Sequence, residues 1–293
     1  MSHARQVFKG ATLAVVRRCS EQRFFLIPTR RLNRVLPLLL AHYAQRHGIE
    51  LHGFAFMANH YHLVLTDPRG RLPLFMGDFD ALLTRVQNHA LGRRGSLWES
   101  GSYTSWPLKT REEVLHQLAY VAANPTEAYQ VRRPESYRGQ LSLPNDIGVS
   151  KTHRVPREGL FGRGYEGSAL PEQAVLTLTV PPQFNPSPER FRRLFRRALD
   201  GTLADLHARR GSYAGRGAVL NLDPFSAPKS ARQGPSFALI PALTNASRED
   251  RAELKAWRQA VRQAFYAWQK GKDPVFPVGT FLMPYRYKAR VAD

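Results

Sequence analysis

Two histidines one residue apart, His60 and His62, stand in the stretch Asn59-His60-Tyr61-His62-Leu63-Val64-Leu65. In a strand, side chains alternate between faces, so both imidazoles leave the same side of a sheet, the spacing of two ligands to one metal ion. A divalent ion held by imidazoles keeps open coordination positions and can grip a phosphate oxygen as a Lewis acid. The bland reading of so short a pattern, in a chain with 10 histidines, is a structural or surface pair. A second candidate lies in Leu115-His116-Gln117-Leu118-Ala119-Tyr120-Val121-Ala122-Ala123-Asn124-Pro125. At helical spacing Tyr120 and Asn124 share a face, which lets the Asn124 amide or carbonyl approach whatever the phenol approaches. A tyrosine at that spacing also suits a core, Asn124 also suits a cap on the helix end, and His116, one turn before Tyr120, is a further polar candidate.

The elements that must position these groups are legible around them. Apolar runs at 11–16 and 24–27, separated by the polar residues 17–23, predict two strands of a hairpin. Leu32, Val35, Leu36, Leu39, Leu40 and Tyr43 recur at helical steps; Pro37 places the regular start of that helix near itself, and Gly48 closes it. Residues 51–57 and 60–65 read as two strands joined by a turn at Ala58 and Asn59, with 67–70 ending the pair. A helix over 74–91 and a strand over 103–108 follow. Thr110 with Glu113 makes a capping box for a third helix, which carries Tyr120 and stops at Pro125. About five strands and three helices thus interleave in the first 130 residues. The fold class is α+β, a ferredoxin-like antiparallel sheet flanked by helices.

Three segments are expected: a core domain over 1–140, a loop-rich linker over 141–188 enriched in Pro, Gly and Arg, and a mainly helical, basic extension over 189–293. The extension has helices at 189–209 and 248–270 around a Gly- and Pro-rich segment, and short extended pieces within 274–287. The 43 Lys and Arg outnumber 23 Asp and Glu, giving a formal charge of +20, an imbalance that suits a polyanion such as nucleic acid, or simply keeps a protein soluble. Cys19 is the sole cysteine, which excludes an intramolecular disulfide and zinc-finger folds. No signal peptide and no run of about 18 apolar residues is present, so the chain is expected to be cytoplasmic.

The segment Met57-Ala58-Asn59-His60-Tyr61-His62-Leu63-Val64-Leu65 resembles the Met-(Pro/Ser)-Asn-His-(apolar)-His-Leu block of the REP-associated tyrosine transposases, single-tyrosine members of the HUH endonucleases. The stretch from Tyr120 to Pro125, continuing through Ala128 and Val131 to Arg133-Pro134-Glu135-Ser136-Tyr137, is similar to that family's Tyr-x-x-x-Asn-Pro-Val-Arg-Ala-Gly-Leu-Val-x-x-Pro-Glu-x-Tyr. Gly10-Ala11-Thr12, Arg69-Gly70-Arg71-Leu72-Pro73, Leu97-Trp98-Glu99 and Tyr103 extend the likeness over about residues 7–140. Departures are Tyr61 for an aliphatic residue, Ala58 for Pro or Ser, Thr126-Glu127 for Val-Arg and Tyr129 for Gly. Tyr61 should be tolerated if its face is amphipathic, and Tyr129 could alter the chain path after the helix.

The resemblance implies an HUH core in which Tyr120 attacks a phosphodiester of single-stranded DNA, leaving a 5′-phosphotyrosine and a free 3′-hydroxyl. It implies Mg2+ or Mn2+ at His60 and His62, with Asn124 as third ligand. Single-stranded or hairpin DNA is then the partner, and the chain a nucleoid-associated transposase acting as monomer or homodimer. Arg85, Arg93, Arg94 and Lys109 near the core site, and Arg192, Arg193, Arg196 and Arg197 on the extension, are candidate DNA contacts, or the solvated side of their helices. Two other functions remain open: a retained, non-catalytic module that binds hairpin or single-stranded DNA, and a metal phosphodiesterase using water, for which Tyr120 would be replaceable by Phe.

Overall fold

The computed structural model describes residues 6–101, 103–156, 160, 170–209, 211–228 and 248–292. The first five residues, and most of the Gly- and Pro-rich segment between the last two long helices, lie outside them. The chain divides into two compact units, one of Gly10–Ala231 and one of Met1–Lys9 with Arg232–Asp293.

The larger unit is built on four antiparallel strands, β1 (Ala11–Arg18), β2 (Glu50–Phe56), β3 (His60–Asp67) and β4 (Thr104–Pro107), in the spatial order β2-β3-β1-β4. Helix α1 (Arg30–His47) connects β1 to β2, α2 (Leu72–Ala90) connects β3 to β4, and α3 (Arg111–Glu127) follows. This is the strand order of the expected ferredoxin-like arrangement. The face of β3 that carries Tyr61 is covered by α2, where Tyr61 is fully buried with its ring 5.6 Å from Phe79. That face is not amphipathic but a packed core, and the Tyr61 hydroxyl is accommodated because it donates to Asp80 Oδ1 at 2.5 Å.

Several elements depart from what the sequence suggests. Residues 24–27 form no strand: Leu26 N–H donates to Ala58 O at 2.7 Å and Gln87 Nε2 donates to Phe25 O at 2.5 Å, so packing and side-chain bonds take the place of a ladder. The first 130 residues therefore hold four strands rather than five. Helix α1 begins at Arg30, because the Thr29 hydroxyl accepts from Leu32 N–H at 3.1 Å, and runs through Pro37. The proline costs about 3 kcal/mol inside a helix, which the buried stripe from Leu32 to Ala44 outweighs. Likewise α3 passes Pro125 and ends at Glu127, its last turn held by burial of Asn124, Pro125 and Thr126.

The boundaries expected at residues 140 and 188 both fall inside the larger unit. The 141–188 stretch contains a hairpin of β5 (Ser150–Arg154) and β6 (Gln173–Thr177) that packs on α1. Helix α4 (Pro188–Arg209) packs on α3, with Phe191, Phe195 and Leu199 buried. The apolar stripe of α4 explains why it is not a free extension: its rings need a partner surface.

In the smaller unit, α5 (Arg248–Gln269) turns Ala264, Phe265 and Trp268 toward Phe276, Met283, Ala289 and Val291. Within 275–281, expected as short extended pieces, Phe276 forms a bridge with Val291, and a short helix α6 (Leu282–Tyr287) follows. No helix among the described residues is long and apolar enough to cross a membrane.

Candidate active site

The histidine pair is set by the β2–β3 hairpin. Met57 N–H donates to His60 O at 2.8 Å across the turn, and the buried apolar run Leu63-Val64-Leu65 after His62 suits β3 to the interior of the sheet. His60 and His62 then share a face, with ring centroids 4.9 Å apart. Asn59 Oδ1 lies 2.7 Å from His60 Nδ1. A neutral imidazole donating there keeps its proton on Nδ1 and leaves the Nε2 lone pair available.

Helix α3 covers that face. It starts on the capping box of Thr110 and Glu113, as expected, and its pitch brings Tyr120 and Asn124 over the histidines. The Tyr120 ring meets the His62 ring edge-on at 5.6 Å. Asn124, 4% exposed, places Nδ2 3.4 Å from His62 Nε2, and its side chain also reaches His60 and Tyr120. The four residues singled out from two distant blocks thus converge on one spot within one chain, with the Asn124 side chain at its centre. His116 is exposed and takes no part.

Burial lowers the pKa of both imidazoles below the ordinary histidine range, with the Arg18 charge adding to it at His60 and His60 and Arg18 at His62; Asn124 opposes the shift at His60. Both rings are therefore neutral at pH 7, the form a metal ion requires. Burial raises the Tyr120 phenol, Glu127 raises it further, and Asn124 and Arg18 offset part of this. His62 Nδ1 is buried without a hydrogen-bond partner. Two neutral imidazoles beside a buried carboxamide form a donor set that fits a divalent ion keeping open positions. Among the described residues no group of three or more His, Cys, Asp or Glu could hold a metal ion; the further polar group beside the two imidazoles is the buried Asn124 carboxamide.

The cations divide into two groups. Arg93 donates to Asn88 Oδ1 at 2.7 Å and Ser96 O at 2.9 Å and stacks over Phe25, 4.1 Å from its ring centre. Arg192 donates through Nε to Ile147 O at 2.8 Å, and Arg196 contacts Glu135 and Asn145. These three guanidinium groups hold their own loops. Arg85, Arg94, Lys109, Arg193 and Arg197 are exposed. Two residues with buried polar atoms, on β1 and α3, were not singled out from the sequence. Arg18 lies in register with His60, but a strand ended at residue 16 puts it in a loop. Gln117 is buried on α3 with Nε2 unpartnered; its three-residue spacing from Tyr120 is the signal that could have found it.

No family model and no curated protein matches the chain. Among solved structures the chain is similar to a REP-associated tyrosine transposase bound to a REP hairpin, with a TM-score of 0.41 and 15% identity, over 48% of this chain and 82% of that one. It is also similar to a protein provisionally named a transposase from Deinococcus radiodurans R1, with a TM-score of 0.29 and 20% identity, over 37% of this chain and 87% of that one.

Proposed function

We propose that this chain is a metal-dependent nuclease and strand transferase of the single-tyrosine HUH kind, acting on single-stranded or hairpin DNA with Tyr120 as nucleophile. The observation that carries the reading is the convergence of Tyr120 and Asn124 from α3 on His60 and His62 from β3. A core protein has no need to bring these four together beside an unpartnered imidazole nitrogen.

In the reaction the Tyr120 oxygen bonds to phosphorus as the bond from phosphorus to the 3′ oxygen breaks. The phenol proton leaves to water, the 3′ oxygen takes up a proton, and the 5′ phosphate stays on Tyr120. Because a diester replaces a diester, the bond energy is kept, and a 3′-hydroxyl can reverse the step on another strand. Bound at His60, His62 and the Asn124 carbonyl, Mg2+ or Mn2+ would supply Lewis-acid polarisation of the phosphate. Asn124 positions the phenol through its side-chain hydrogen bond. Burial of Tyr120 keeps the free phenol protonated at neutral pH, so its proton is lost only as attack proceeds. A single chain supplies all four groups, so a monomer suffices. The exposed cations Arg85, Arg94, Lys109, Arg193 and Arg197 would bind the strand's other phosphates.

The test uses the purified chain, Tyr120→Phe and a His60→Ala/His62→Ala double variant, with labelled single-stranded pools containing hairpins, in Mn2+ or EDTA. A denaturation-resistant protein–DNA adduct that requires metal, both histidines and Tyr120 is the expected result. Salt-sensitive binding with no adduct would establish a binding module instead. Cleavage surviving Tyr120→Phe would establish a water-using phosphodiesterase.

A further inference from the structure

Two neighbouring arginines end β1, and they are treated very differently. Arg17 turns to the Tyr61 face, where its Nε lies 3.4 Å from Asp80 Oδ2 and its guanidinium lies over Trp98, 5.6 Å from the ring centre. Arg18 is in register with His60 and so leaves the sheet on the histidine face. The Nε of each is buried without a hydrogen bond, but Arg17 is ion-paired with Asp80, whereas Arg18 has no ion pair among the described residues. A buried guanidinium N–H without an acceptor is a cost that folded proteins seldom leave uncompensated.

The surroundings of Arg18 say what would compensate it. Its charge lies within electrostatic reach of Tyr120, His60 and His62. Among the described residues the carboxylate felt there is Glu99, whose backbone N–H donates to Arg18 O at 3.0 Å and so fixes that segment beside the end of β1. Glu99 belongs to the Leu97-Trp98-Glu99 block, to which the proposed reaction gives no role. If Tyr120 is the nucleophile, a scissile phosphate must lie beside its hydroxyl, within reach of the Arg18 charge.

We propose that Arg18 is the phosphate-gripping cation of this site, donating to a non-bridging oxygen of the phosphodiester that Tyr120 attacks. The proposal rests on the tyrosine-nuclease reading for the identity of that phosphate. Arg18 exchanges no proton in the step; it balances the negative charge that grows on the equatorial oxygens while the tyrosine–phosphorus bond forms and the bond to the 3′ oxygen breaks. Arginine suits the task because it stays charged and presents a planar set of donors to phosphate.

The test compares the wild-type chain with Arg18→Met and Arg18→Lys. One arm needs no catalysis: arginine side-chain resonances of isotope-labelled protein are followed during titration with thymidylyl-thymidine and with its uncharged methylphosphonate analogue. The wild type should prefer the charged dinucleotide, Arg18→Met should lose that preference, and Arg18→Lys should keep part of it. In the second arm, adduct formation with the hairpin pool in Mn2+ should slow about 100-fold or more in Arg18→Met. Added guanidinium chloride at non-denaturing concentration should recover part of that rate, a recovery that a packing role would not give. An adduct rate in Arg18→Met equal to that of wild type, or a preserved charge preference, overturns the role of Arg18 and leaves the nuclease reading standing. No adduct from wild type, with charge preference lost in Arg18→Met, sinks the nuclease reading and keeps the phosphate site. Should Arg18→Met fail to fold, the uncharged but polar Arg18→Gln takes its place, and an adduct rate equal to that of wild type or a preserved charge preference in it overturns the proposal.

Discussion

Tyr129 sits two residues beyond α3 with φ +58°, in the left-handed region, where the pattern the chain resembles has Gly. Its backbone is held there from both sides: its N–H donates to Thr126 O at 3.0 Å and its carbonyl accepts from Ala214 N–H at 2.8 Å. The chain path that glycine would take is therefore kept, at a cost to a non-glycine residue of about 1–2 kcal/mol. Tyr129→Ala trims the half-exposed side chain and keeps that cost. Tyr129→Gly removes it and adds about 0.5–1 kcal/mol of unfolded-chain entropy. The Gly variant should thus exceed the Ala variant by about 0.5–1 kcal/mol, the reverse of the order inside a helix. For a unit of this size that is a rise of about 1–4 °C in Tm. Urea and thermal unfolding of the two variants, followed by circular dichroism, measure the difference directly. A Gly variant less stable than the Ala variant refutes the backbone argument. Adduct formation should be the same in both, since Tyr120 and Asn124 precede the turn and the path is unchanged.

Three further outcomes are expected. A Cβ at Gly53 would meet Leu118 Cδ2 at 2.5 Å and Ser142 Oγ at 3.3 Å, so Gly53→Ala should cost about 1–3 kcal/mol; Leu118→Val in the same chain should cost less than it does alone, as a double-mutant cycle would show. His52 is fully buried between Thr179 O and the Thr66 hydroxyl, and burial lowers its pKa to about 4 from 6.5. Its neutral form contributes stability that is whole above pH 6.5 and is lost as pH falls toward 4, on the order of 3 kcal/mol at most. Asp80, raised by burial to about 7, favours the folded state at low pH and loses that contribution as pH rises toward 7, so urea titrations of His52→Asn must be read as the difference from wild type: a smaller acid loss is expected. Arg93→Ala should lower Tm by loosening the 88–96 turn while leaving the salt dependence of DNA binding by anisotropy unchanged; a reduced salt slope would return Arg93 to the DNA surface.

What the sequence made legible follows from where local signals are unopposed. The β3 strand and the start of α3 were readable because a short apolar run bounded by turn residues and a capping box specify them without help from distant residues. Asn124 was readable as a partner of Tyr120 because helical pitch alone puts them on one face. Pro37 and Pro125 misled because a proline's penalty is local and the burial that overrides it, against other elements, is not. Residues 24–27 misled because four apolar residues have too short a period to tell strand from packed turn. Charge counting discriminates least: nothing in the sequence separates Arg93, held by Asn88, Ser96 and Phe25, from the exposed Arg94 beside it.

The same contrast bears on how the site works. Its histidines belong to a central strand and its tyrosine and amide to a helix, so the chemistry depends on one packing relation, that of α3 to the sheet. Gly53 sets part of that relation by letting Leu118, two residues before Tyr120, close onto β2. A methyl group there pushes on the helix rather than on any reacting group. If α3 and the sheet form the site, Gly53→Ala should slow adduct formation by a larger factor than it weakens DNA binding, because phosphate contacts elsewhere are untouched while the approach of Tyr120 to the phosphate is displaced, and small displacements of reacting atoms are costly. Equal losses in rate and binding would instead mean that the variant is simply less folded, which the unfolding curve of the same sample distinguishes.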